Sequence, residues 1–130
     1  MQELYNSEYA TLSYENSSKV IELVWKKSAN SDEYRKMFNV LIEFSEKNRI
    51  KAFLSDMKSQ GVVRLDDVHW LEKEILSRAI SHKIEKIALV TQDTIFSSIY
   101  AEAIKKKLEK SPIILQVFTD LSEARAWVSG

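Results

Sequence analysis

Cysteine is absent from the sequence, glycine occurs only twice and proline only once. Without cysteine the chain can form no disulfide, no thiolate metal site and no cysteine nucleophile. Nineteen basic residues balance nineteen acidic ones, so the composition gives no sign of a nucleic-acid or membrane surface. No apolar run approaches the roughly 20 residues that a spanning helix requires. Residues 1–10 also lack the basic and apolar regions of a signal peptide. We therefore expect a cytoplasmic protein.

The 130 residues suit one compact domain, because 45% are apolar and 29% are charged. No linker, internal repeat or low-complexity stretch interrupts the chain. We expect residues 1–130 to form a single domain.

Hydrophobic periodicity divides the chain into strands and helices. Residues 9–27 alternate on both sides of a polar Asn-Ser-Ser turn, which predicts an antiparallel hairpin. Three apolar runs predict three further strands, and the first of them has little alternation, which is typical of a strand covered on both faces. These runs are residues 50–57, 85–91 and 112–120.

Helical periodicity fills the segments between these runs. The four predicted helices lie within residues 28–49, 65–83, 92–111 and 120–130. Asn30 or Ser31 is expected to cap the first helix, Asp66 or Asp67 the second, and Asp120 the last. The predicted order is β-β-α-β-α-β-α-β-α. It defines an α/β fold with a mixed, mostly parallel sheet of about five strands and an N-terminal antiparallel hairpin.

Four segments at the junctions of this pattern resemble one known family. They are VIELVWKK, FLSDMKSQGVVRLDDVHWLEKEI, KIALVTQDTIFSS and VFTDLSEARAWV. In order and spacing they are similar to the SpoIIAA-like branch of the STAS superfamily, whose members are also described as STAS/SEC14 domain-containing proteins. The likeness extends from Tyr9 to Val128.

The resemblance implies a small regulatory or ligand-binding domain and not an enzyme. Sporulation members of the family antagonise anti-sigma factors and are switched by phosphorylation of a serine in a D-S-S-G-like turn. Here KSQGVVRLDD stands at that place. Ser59, before Gly61, is the candidate for phosphorylation, and Lys58 and Arg64 could pair with the added phosphate. A solvated loop in which Gly61 supplies a positive φ is the simpler interpretation.

Acidic residues follow each of the predicted parallel strands. Asp56, Asp93 and Asp120 would meet at one edge of the sheet, where three carboxylates could hold a hard cation. Capping of the following helices explains Asp93 and Asp120 more simply and leaves Asp56 as the binding candidate. Asp56 and Thr91 also resemble functional positions of response-regulator receivers. The N-terminal hairpin, and Asp120 where receivers have a lysine, argue against that reading.

The loop and helix after Asp56 offer candidates for a binding surface. Val62, Val63 and Trp70 would form an apolar patch if the loop left them exposed, and His69 could line a pocket beside them. The two histidines have no metal-like partner at i+3 or i+4, and no nucleophile elbow or phosphate-binding motif is present. We predict no catalytic residue, no cofactor and no metal site.

Two functions remain open from the sequence. In the first, the domain docks a protein partner through the side of the second helix, and the same surface could support a homodimer. In the second, inferred from the SEC14-type relatives that hold lipids, the domain carries or senses a small apolar ligand in a cavity between sheet and helices.

Overall fold

The strands follow one another across a single sheet in chain order. A computed structural model describes residues 1–92 and 95–130. Strands β1 and β2 are antiparallel, as are β2 and β3, whereas β3, β4, β5 and β6 run parallel. The strands are β1 (Gln2–Asn6), β2 (Ala10–Glu15), β3 (Val20–Trp25), β4 (Ala52–Asp56), β5 (Lys86–Val90) and β6 (Ile114–Phe118). The predicted mixed α/β fold with its N-terminal hairpin is confirmed.

A helical segment follows each strand from β3 onwards. The helices are α1 (Ser31–Lys47), α2 (Leu65–Trp70), α3 (Ser77–Ser81), α4 (Ile95–Leu108) and α5 (Leu121–Ser129). A π-helical segment, Leu71–Leu76, joins α2 to α3 with helical backbone angles on both sides, so these pieces form the second of the four predicted helices. No helix in the described ranges is long and apolar enough to cross a membrane.

The sheet has six strands, where the sequence predicted about five. The additional strand, β1, is largely polar, lies at the edge of the sheet and carries an irregularity between Glu3 and Tyr5. A strand of this kind buries no continuous apolar stripe. It therefore lacks the alternation by which β2 and β3 are recognised.

The helices are distributed unequally over the two faces of the sheet. Right-handed crossovers between parallel strands that are added in one direction place their helices on the same face. The larger core accordingly joins one face of the sheet to helices α1 to α4, with Leu23, Met37, Leu71 and Ile104 fully or almost fully buried. On the other face Ala124 and Val128 of α5 cover β4 and β5.

Two of the predicted helix caps are present. Asn30 accepts a hydrogen bond from the Glu33 N–H, and Asp120 accepts bonds from the N–H groups of Ser122 and Glu123. The expected cap of the second helix by Asp66 or Asp67 is wrong, because α2 begins after Arg64 without a side-chain cap.

Asp67 instead joins two helices. Its buried carboxylate accepts hydrogen bonds from Ser31 Oγ at 2.7 Å and from Arg35 Nε at 2.9 Å. This tertiary contact between α1 and α2 takes the place of local capping.

Candidate functional site

The loop that follows β4 returns towards the helices in a tight turn. Asp56, buried at the end of β4, accepts the Lys58 N–H at 3.2 Å and lies 3.5 Å from Lys58 Nζ. Gly61 has a φ of +75°, and a Cβ at this position would overlap Ser28 Oγ. The predicted positive φ at Gly61 is confirmed. Asp56 therefore holds the turn together.

This loop, α2 and α4 enclose a cleft of about 460 Å³. Buried side chains form its floor, and exposed apolar side chains form its rim. The floor consists of Met57, Gln60, Val68 and Tyr100, and the rim includes Val62, Leu65 and Ile99. The cleft lies beyond the carboxyl ends of β4 and β5, where open α/β sheets commonly bind ligands.

The rim of the cleft is unusually apolar for a surface. Val62, Leu65 and Ile99 are 61%, 68% and 61% exposed, and they are three of the six large apolar side chains that are exposed in the described part of the chain. Exposed apolar groups that cluster around a concavity mark binding sites more often than single exposed residues do.

A chain of polar groups lies beneath the cleft. The hydroxyl oxygens of Tyr34 and Tyr100 are 2.6 Å apart, and the Gln60 side chain interacts with the Tyr100 hydroxyl group. Burial raises the pKa of both phenols well above its usual value, so both are neutral at physiological pH. Gln60 Oε1 is buried without a hydrogen-bond partner among residues 1–92 and 95–130. The floor of the cleft therefore has an unused acceptor.

Four of the predicted binding candidates line the cleft: Gly61, Val62, Val63 and His69. Trp70 does not. Its ring lies beneath the Arg35 guanidinium, 5.2 Å from its centroid, and Arg35 is held by Asp67. Val62 is exposed, whereas Val63 and Trp70 are half-buried, so the three side chains do not form the patch that was considered from the sequence.

The remaining candidates lie outside the cleft. Ser59 is exposed on the loop, and its phosphorylation stays a prediction. Thr91 is buried at the end of β5, where its N–H donates to the Phe118 carbonyl. Asp93 lies outside the described residues, and Asp120 caps α5.

The cation site considered from the sequence has no counterpart in the described ranges. They contain no group of three or more His, Asp or Glu side chains that could hold a metal ion. Asp56 and Asp120 are each engaged with neighbouring backbone N–H groups.

Sequence reasoning missed the residues that give the cleft its apolar rim and polar floor. The helical periodicity of α4 predicts that Ile99 and Tyr100 both face the core. Of these two side chains, Tyr100 is buried and Ile99 is exposed. The adjacent apolar pair was the available signal, because neighbouring residues on a helix point about 100° apart. Gln60 and Leu65 carried no signal in the one-dimensional pattern.

Comparison with known proteins assigns this architecture to a family. The family model described as SpoIIAA-like matches residues 20–129. A crystal structure of an uncharacterized protein from the DUF3478 family with a SpoIIAA-like fold, from Shewanella loihica PV-4, has a similar fold. Its TM-score is 0.62 at 16% identity, covering 95% of this chain and 97% of that one. No curated protein matches the sequence. The chain has an α/β fold of the SpoIIAA-like type. It belongs to the SpoIIAA-like family.

Proposed function

We propose that this protein is a non-enzymatic regulatory domain that acts in the cytoplasm and binds a partner protein through the cleft. The observation that carries the proposal is the concentration of Val62, Leu65 and Ile99 around one concavity. A few side chains that become buried at the centre supply most of the binding energy in protein interfaces, and polar groups surround that centre. Lys58, His69 and Glu72 would supply the surrounding polar groups here.

The loop of the cleft also carries the proposed regulatory position. Ser59 is exposed next to Lys58, so a phosphate at Ser59 would add about two negative charges beside the rim. The added charge would change the affinity for the partner without rearranging the core.

A small apolar ligand is the alternative occupant. A volume of about 460 Å³ falls in the range of ligand pockets, and Gln60 Oε1 could accept a hydrogen bond from such a ligand. The void between the sheet and its helices measures only about 30 Å³. A ligand would therefore occupy the surface cleft and not a SEC14-like interior cavity.

Site-specific cross-linking in native cells tests the proposal. A photoreactive residue at position 65 or 99 should capture one defined protein. The same residue at Ala126, which is exposed on α5 across the sheet, should not. With the captured protein purified, Leu65→Glu should weaken binding at least about tenfold, because it places a charge in the apolar contact.

A matched substitution separates a local effect from a general one. Ala126→Glu, on the exposed side of α5, places the same charge outside the cleft and should leave affinity for the captured protein unchanged. Equal capture from position 126, or unchanged affinity in Leu65→Glu, would contradict the proposal. A stoichiometric apolar small molecule in native mass spectrometry, displaced by Leu65→Glu, would establish the carrier function instead.

A further inference from the structure

The two edges of the sheet differ in how they are protected against pairing with another strand. At one edge, β1 contains Glu3 and an irregularity, and Lys36 lies over its Tyr5 ring. At the other edge, β6 (Ile114–Phe118) is regular along its pairing with β5 and contains no charged residue. Bulges and charges at edges prevent sheet-to-sheet association, and β6 has neither.

The free side of β6 presents a defined set of backbone groups. Ile114 donates its N–H to the Glu85 carbonyl, and the Phe118 carbonyl accepts from the Thr91 N–H. Because backbone groups alternate in direction along a strand, the N–H and C=O groups of Leu115 and Val117 point away from β5. No other strand in the described part of the chain pairs with that side.

We propose that β6 pairs with the β6 strand of a second copy, in antiparallel orientation and centred on Gln116. In that register Leu115 of each copy lies opposite Val117 of the other, and each such pair exchanges two hydrogen bonds. The four bonds use every outward group of both strands between Ile114 and Phe118. A two-fold axis at Gln116 relates the copies, as in most homodimers.

The side chains beside β6 match this two-fold arrangement. Ile114 and Val117 are exposed, so pairing would cover apolar surface. A groove of about 410 Å³ between β6 and α4 is lined by Gln116, Val117, Glu102 and Lys105, among others. Helices α4 of the two copies would run antiparallel on either side of the axis, bringing Glu102 of each copy towards Lys105 of the other. Opposite charges thus meet at the axis, and no like charges face each other on the strands.

Sedimentation equilibrium of the purified chain over a range of concentrations tests the proposal. We expect a reversible dimer whose dissociation constant rises at least about tenfold in Val117→Lys, because a charge at the edge opposes pairing. Val117→Pro should have the same effect, since it removes an outward N–H and no bond to β5. Leu65→Lys, the same change at an exposed site in the cleft, should leave the dimer intact. That result also separates this proposal from the docking function.

Two further measurements report the geometry directly. Charge reversal by Glu102→Lys should weaken the dimer, and adding Lys105→Glu should restore it. Hydrogen exchange should be slow at Leu115 and Val117 only in concentrated solution, whereas Gln116 is protected at all concentrations by its pairing with β5.

Four outcomes would overturn the proposal. They are a monomer at every concentration, dissociation by Leu65→Lys but not by Val117→Lys, concentration-independent exchange at Leu115 and Val117, and a monomer that pairs β6 with a strand of another protein. Circular dichroism and thermal unfolding of each variant establish that it is folded.

Discussion

The hydroxyl oxygens of Tyr34 on α1 and Tyr100 on α4 lie 2.6 Å apart in the larger core. Both side chains are buried, and Tyr100 also contributes to the floor of the cleft. Tyr34 stacks on Trp25 of β3 with ring centroids 5.7 Å apart. One hydrogen bond thereby connects the first crossover helix to the helix that borders the cleft.

The two phenols should make folding sensitive to alkaline pH. Burial raises the pKa of each in the folded state above its usual value of 10.0, so the unfolded state loses its protons first. The stability that the two neutral phenols provide is complete below pH 10. Above pH 10 the free energy of unfolding falls by about 1.4 kcal/mol per pH unit for each phenol. Urea unfolding at a series of pH values measures this slope.

The double variant Tyr34→Phe/Tyr100→Phe is the control for this prediction. It should unfold with a shallower loss of stability above pH 10, although Tyr14, whose pKa is also raised by burial, keeps part of the dependence. An unchanged slope in the double variant would show that other groups cause the alkaline transition.

The smaller core contains an ion pair that should stabilise α5 against the sheet. Glu22, almost fully buried on β3, accepts hydrogen bonds from Arg125 Nε at 2.9 Å and Nη2 at 2.6 Å. Arg125→Met leaves the carboxylate buried without its partner, and we expect a loss of about 2 kcal/mol in unfolding free energy, since half of the arginine faces water.

Neutralising the carboxylate should remove much of that loss. Glu22→Gln in the Arg125→Met background should recover about 1 kcal/mol, because an amide is less costly to bury than an unpaired charge. Chemical denaturation of the four proteins of the cycle gives the coupling energy. If Arg125→Met stays within about 0.5 kcal/mol of the parent, the pair contributes nothing measurable.

The sequence predicted the order of most strands and helices because strong hydrophobic periodicity determines it. The alternation around Leu12 and Leu23 and the buried run ending at Asp56 each appear in the structure as predicted. The polar edge strand Gln2–Asn6 carries no such signal. The π-helical segment Leu71–Leu76 gave no signal either, since its apolar spacing matches an ordinary helix.

The candidate site was only partly predictable for a different reason. Val62 and His69 were found because they follow the carboxyl end of a parallel strand, which is a rule of topology. Ile99 joins them only through the packing of α4 against the helical segment that continues from α2, a contact between segments distant in sequence. Asp66 or Asp67 was predicted to cap α2 because the capping rule considers only residues near the helix start. It takes no account of Ser31 and Arg35, which bind Asp67 from α1.

Asp67 should be more important for stability than a helix cap would be. Asp67→Ala removes the acceptor for both Ser31 and Arg35, and we expect a loss of about 3 kcal/mol in unfolding free energy. Ser31→Ala removes one bond and should cost about 1 kcal/mol.

An NMR measurement reports the same contact directly. In Asp67→Ala the indole NMR signal of Trp70 should shift as Arg35 is released, whereas the signal of Trp127, on the opposite face of the sheet, should not change. A cost no larger than that of Ser31→Ala would contradict the buried role of Asp67.

A side chain at position 61 should destabilise the fold, for two separable reasons. Its φ of +75° is unfavourable for other residues, and a Cβ would overlap Ser28 Oγ. We expect Gly61→Ala to lower the unfolding free energy by about 2 kcal/mol, measured by chemical denaturation.

The Ser28→Gly background separates the two reasons, because it removes the overlapping atoms. In that background Gly61→Ala should cost only about 1 kcal/mol, which comes from the backbone. Ser59→Ala, in the same exposed loop, should leave stability unchanged. An equal penalty with and without Ser28→Gly would show that the steric contact has no effect and that the backbone angle accounts for the whole loss.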